Sequence, residues 1–155
     1  MLSPVARQYL LYALQGTPDV LEALLQNVQN WDFTPDPERF TLREIVAHLA
    51  DWEPVCIERF TRIRDEDEPH LPSWDENAKA IEHDYAHSDP HEQLILFRER
   101  RATTLDLLRA MPEDAWTRIG HREVVGAISI ESQVTVMLGH DGYHTQQIAQ
   151  WRQAS

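Results

Sequence analysis

Eight histidines stand in this chain of 155 residues, and three pairs of them have His-x-x-x-His spacing: His83/His87, His87/His91 and His140/His144. Side chains four apart on a helix project from one face, so such a pair can present two imidazole nitrogens to one ion. With this many histidines the spacing alone discriminates poorly, and context has to separate the pairs. Pro90 drives Asp89 out of helical geometry, so His87 and His91 need not share a face. On an ideal helix His83 and His91 would lie about 12 Å apart along the axis. One ion, with nitrogen ligands at about 2.0–2.1 Å, cannot collect all three. These histidines sit in a polar stretch and read as solvated surface residues. His140 and His144 differ, because they border an apolar stripe of Met137, Ile148 and Trp151 where two imidazoles need partners. They are either hydrogen-bonded core residues or metal ligands. His48, between Ile45 and Trp52 on the inner edge of another helix, is the natural third member, although alone it reads as a satisfied core histidine. Facing helices build metal sites inside bundles, and His48, His140 and His144 are the set that could form one.

Three neutral imidazoles on a divalent ion leave coordination positions open, the layout of a catalytic site rather than a closed structural one. An open position can lower the pKa of a water, which gives a hydrolase, or hold a thiol as thiolate, which gives a thiol transferase. The His-Asp-Gly-Tyr-His run is not the zinc-protease motif, which places glutamate directly after the first histidine; Asp141 stands there instead. No side chain presents itself as a protein nucleophile. Cys56 lies on the same stripe as His48 and reads as a buried core thiol. Asp51, Asp141 and Gln147 are close enough in sequence to support the ligands from behind. Gly139 and Gly142 flank the pair, either opening room for a ligand or allowing close helix packing.

The elements that must position these residues are helical. A first apolar stripe (Val5, Tyr9, Leu10, Ala13, Leu14) continues through Leu21, Leu24, Leu25 and Val28 to about Asn30. Gly16-Thr17-Pro18 interrupts it, giving one kinked helix or two, with Thr17 able to cap the second. Pro35 and Pro37 mark a loop over Trp31 to Phe40. Thr41 and Glu44 form a capping box that opens a second helix through Ile63, bent where Pro54 removes the bond to the Ala50 carbonyl. Arg64 to Asp89 is a long acidic excursion between the second and third helices, with a short helix near Asp75 to Tyr85. It reads first as a solvated surface wrap and second as a lid. Ser88-Asp89-Pro90 starts a third helix whose inner positions are Leu94, Phe97, Arg101, Leu105, Leu108 and Met111. After a connection over Glu113 to Ile128, Ser129 caps a fourth helix that runs to about Gln153. The expected fold is all-α, one four-helix bundle domain over residues 1–155.

Composition narrows the partners. Lys plus Arg total 14 against 26 Asp plus Glu, a formal net charge of -12, and the single lysine is Lys79. That field repels phosphate backbones and anionic lipid surfaces, so neither nucleic acid nor membrane is an expected partner. One cysteine allows no internal disulfide, which suits a cytoplasmic setting.

Two segments resemble a known family. Thr41 to Glu53 (TLREIVAHLADWE) looks like the second-helix signature of the DinB-like (DinB/YfiT) superfamily, and Gly139 to Ile148 (GHDGYHTQQI) looks like its fourth-helix signature. Phe40 stands where relatives often carry tryptophan, and His121 where they often carry a histidine; the latter is not assigned to the metal. The resemblance implies an up-down-down-up bundle, often a homodimer, with nickel or zinc on the three histidines. It also implies an enzyme acting on a small-molecule substrate: a thiol-dependent S-transferase using a low-molecular-weight thiol, or a related hydrolase. The alternative is a non-catalytic dimeric stress-response or binding protein whose metal is structural.

Overall fold

The structure, a computed structural model, describes residues 2–154. Four long helices dominate it: α1 (Pro4–Leu25), α2 (Leu42–Asp65), α4 (Pro90–Arg109) and α5 (Ile130–Ala154), with a short α3 (Glu76–Glu82) inside the excursion. The caps expected at Thr41 and Ser129 are in place, and within the Ser88-Asp89-Pro90 start the capping residue is Asp89. Thr41 and Glu44 close the capping box of α2. The Asp89 carboxylate accepts from the His91 and Glu92 amides before Pro90, and Ser129 Oγ accepts from the Ser132 amide at the start of α5.

The chain is not all-α. A three-stranded sheet, β1 (His70–Leu71), β2 (Ile119–Arg122) and β3 (Gly126–Ser129), sits beside the bundle. β2 and β3 form an antiparallel hairpin, and β1 lies parallel to β2 with His70 opposite His121. Gly120 is required there: a Cβ on it would stand 2.9 Å from Ile63 and 3.0 Å from Leu71. Strands of two to four residues are too short to show alternation, which is why the sequence reads as a plain connection.

Both prolines sit inside unbroken helices, Pro18 in α1 and Pro54 in α2. Each leaves the carbonyl four residues earlier without its helical donor. Two consecutive arginines of α4 supply the missing bonds: Arg100 Nη1 donates to the Ala50 carbonyl (2.8 Å) and Arg101 Nη1 to the Leu14 carbonyl (2.9 Å). Thr17 therefore caps nothing. Its hydroxyl donates to Asp141 Oδ2 at 2.8 Å.

The core has two apolar clusters. One gathers Leu14, Cys56, Phe60, Leu105 and Met137, the other Leu21, Ile45, Leu49, Phe97 and Ile148. Chain order takes α1 and α5 from the first cluster to the second, and α2 and α4 from the second to the first. Between the clusters the four long helices contribute buried polar residues that meet one another: Thr17, Glu53, Arg101, Thr104 and Asp141. The Arg101 guanidinium bonds Glu53 Oε1 (2.6 and 2.8 Å) and Asp141 (2.6 and 3.0 Å), and Thr104 Oγ1 donates to Glu53 Oε2 at 2.6 Å. Burial pushes the Glu53 carboxyl up and Arg101 pulls it back; the pair's geometry is that of an ion pair. Among the described residues, no helix is long and apolar enough to cross a membrane.

Candidate metal centre

α2 and α5 bring His48, His140 and His144 together, with one potential ligand atom from each lying within 4.8 Å of the others. Nε2 of His48 and Nε2 of His140 are 2.9 Å apart. Two nitrogens each about 2.0–2.1 Å from one ion stand at such a separation. His144 Nδ1 is 2.9 Å from Gln147 Oε1. That oxygen can only accept, so Nδ1 carries the proton and Nε2 keeps its lone pair, as in a histidine prepared for a metal. The Nδ1 atoms of His48 and His140 are buried without partners. An ion held through Nε2 would leave those Nδ1 atoms as they are, so they do not bear on it; what fits a divalent ion is the donor set itself, three imidazoles whose ligand atoms converge from two facing helices.

Electrostatics agree. Burial, reinforced by the neighbouring His144, pushes the pKa of His48 down to about 3. Burial and the other two histidines push His140 down to about 2. For His144 burial wins over the Gln147 bond and Asp141, leaving it at about 4. All three rings are neutral at pH 7, with lone pairs free.

Aromatic rings enclose the cluster. Trp52 stacks on His140 at 4.9 Å, while Phe40 and Trp74 lie 5.4 and 5.5 Å from His48. Phe40 thus acts on packing against the His48 ring. An opening of about 130 Å³ beside His144 is lined by Arg39, Phe40, Glu76, Tyr143 and Gln147, among others. A larger cavity of about 450 Å³, between the start of α1 and Trp116, touches none of the histidines.

The remaining sequence candidates separate clearly. Of the three proposed supports, only Gln147 hydrogen-bonds one of the three histidines. Asp51 instead binds His83, Tyr85 (2.9 Å) and Arg100 (3.2 Å). Burial opposes its ionisation, but those hydrogen bonds outweigh burial and hold its carboxyl below the usual range. Asp141 belongs to the Arg101 network. Neither reading of the glycines stands, because a Cβ on Gly139 or Gly142 would meet nothing within 4 Å and both face solvent. His83, His87, His91 and His121 stay outside the cluster, His121 bonding Glu68 at 2.9 Å. Cys56 is fully buried, and burial pushes its thiol far above the thiolate range. The excursion is not a free surface wrap. Leu71 and Tyr85 are buried, and Trp74 inserts between His48 and Trp52. Sequence reasoning missed Trp74 and Glu76; an aromatic followed by an acid in an otherwise polar loop was the available signal.

Fold and site together define a helical bundle with an inward three-histidine centre on two facing helices. The chain belongs to the DinB superfamily, whose family model matches residues 13–148. It is 27% identical over 112 residues to a Bacillus subtilis (strain 168) protein named "Putative metal-dependent hydrolase YfiT". That match covers 72% of this chain but only 63% of the relative, less than two thirds of its length. The solved structure of YfiT from Bacillus subtilis superposes with a TM-score of 0.92 at 22% identity, covering 99% of this chain and 90% of that one. It is described as "a probable metal-dependent hydrolase with an unusual four-helix bundle topology". At that identity the superposition establishes the shared fold.

Proposed function

We propose that this chain is a metal-dependent enzyme acting on a small molecule, with His48, His140 and His144 holding its divalent ion. The observation that carries the proposal is the convergence of three neutral imidazoles from two helices beside a polar-lined opening. Nickel and zinc both suit nitrogen donors. When bound, the ion supplies Lewis acidity and lowers the pKa of a water or thiol in its open position. The chain's own residues do the positioning: Gln147 fixes the His144 tautomer, and Phe40, Trp52 and Trp74 keep bulk water from the rings. The order in which the helices cross the two apolar clusters supports an up-down-down-up path. A homodimer belongs to the same proposal.

The description of the relative favours water as nucleophile, hence hydrolysis. The finer reading, transfer to a low-molecular-weight thiol, has separate support: with Cys56 sealed in the core, a sulfur nucleophile has to come from solution. The test is turnover by metal-loaded protein against ester and thiol-acceptor panels, before and after chelation. The expected result is activity in one panel that chelation abolishes and added metal restores. Stoichiometric metal without turnover in either panel would contradict it and favour the non-catalytic alternative, a dimeric stress-response or binding protein whose metal orders the core.

A further inference from the structure

Glu76 opens α3, inside the excursion, yet its side chain points back at the histidines. Glu76 Oε2 lies 3.8 Å from His48 Nε2, the same nitrogen that faces His140. It also lines the opening beside His144. Two atoms bound to one ion at about 2.1 Å can be no more than about 4.2 Å apart, so this carboxylate is close enough to share an ion with His48 Nε2, standing beside the three-histidine group rather than within it. Among the described residues no other hydrogen bond or ion pair engages the Glu76 side chain. The adjacent Trp74 rests on both His48 and Trp52. At its far end the excursion is fastened to α2 by His83 and Tyr85 on Asp51. Before the histidines the excursion is tied down by the β1 pairing, the Ser73 amide on Glu123 and Arg59 on the Pro72 carbonyl; over the histidines it adds the Trp74 stacking and this unmatched carboxylate.

We propose that Glu76 is the acidic member of the metal centre, and that a bound ion clasps the excursion onto the bundle through it. The inference rests on the three-histidine reading above. A carboxylate facing a divalent charge strengthens its binding, and supporting groups of this kind change metal affinity by about 10–100-fold. The excursion becomes a lid whose closure depends on the metal.

Calorimetric titration with Zn²⁺ and hydrogen exchange of residues 72–83 test this together. Glu76→Gln is expected to bind zinc at least about tenfold more weakly than wild type. Glu82→Gln removes the same charge from the same short helix, where it pairs with Lys79, and is expected to bind as wild type does. Zinc is expected to slow exchange over 72–83 in wild type but not in Glu76→Gln, while α2 and α5 are protected in both. Equal affinities for all three proteins, equal weakening in both variants, or protection of 72–83 that survives Glu76→Gln would overturn the assignment while leaving the histidines standing. Failure of the wild type to bind zinc would overturn the three-histidine reading itself, and this inference with it.

Discussion

Replacing Arg101 with alanine is expected to destabilise the protein by about 3–5 kcal/mol, read as a lowered urea midpoint or melting temperature. The magnitude follows from what the substitution leaves behind. Glu53 and Asp141 are 0% and 2% exposed, and Arg101 is the guanidinium between them. Without it two carboxylates remain buried with hydroxyl partners only, and the Leu14 carbonyl freed by Pro18 loses its donor. Breaking a buried ion network by removing one partner costs far more than the intact network contributes, because the stranded charge cannot reach water. Against a total stability of about 5–15 kcal/mol, the loss threatens folding outright. Adding Glu53→Gln to the variant is expected to recover part of it, since one stranded charge is then gone. A single Arg101→Ala that melts within a degree or two of wild type would show that the network contributes nothing.

The second large effect is acid lability of the metal-free protein. His48, His140 and His144 have pKa values of about 3, 2 and 4 in the folded chain, against about 6.5 when unfolded. Their folded values are depressed, so below pH 6.5 the unfolded chain binds protons that the folded chain refuses. Stability is fully present above the unfolded value and falls as pH drops. Each histidine contributes a loss approaching about 1.4 kcal/mol per pH unit, so three together approach about 4. Helicity followed by circular dichroism is expected to collapse between about pH 5 and pH 4. Replacing His140 with phenylalanine removes one of the three protons and is expected to move the midpoint to lower pH. A wild-type midpoint no higher than that of the variant would contradict neutral burial of the cluster.

Much of this was legible in the sequence, for physical reasons. Caps at Thr41, Asp89 and Ser129 are local chemistry, and local chemistry survives folding. The helical stripes told which side of α2 and α5 faces inward, and that brought His48 to His140 and His144. What escaped depends on distant partners. β1 pairs with a strand almost fifty residues further on, and no local window sees a two-residue strand. Arg101 stood plainly among apolar positions of α4, a charge where the stripe demanded a hydrophobe. Its partners lie 48 and 40 residues away on other helices. The same holds for Glu76, whose place over His48 depends on the path of the whole excursion. Gly139 and Gly142 misled in the other direction: their closeness to His140 and His144 in sequence suggested a role, but helix rotation turns both to solvent.

The most direct test of the metal centre is the metal content of wild type and His48→Ala, purified identically and measured by elemental analysis. About one equivalent of divalent metal per chain is expected in the wild type and almost none in the variant, because removing one of three nitrogens leaves a pair on a single helix. Equal content in the two proteins, whether full or negligible, would contradict it.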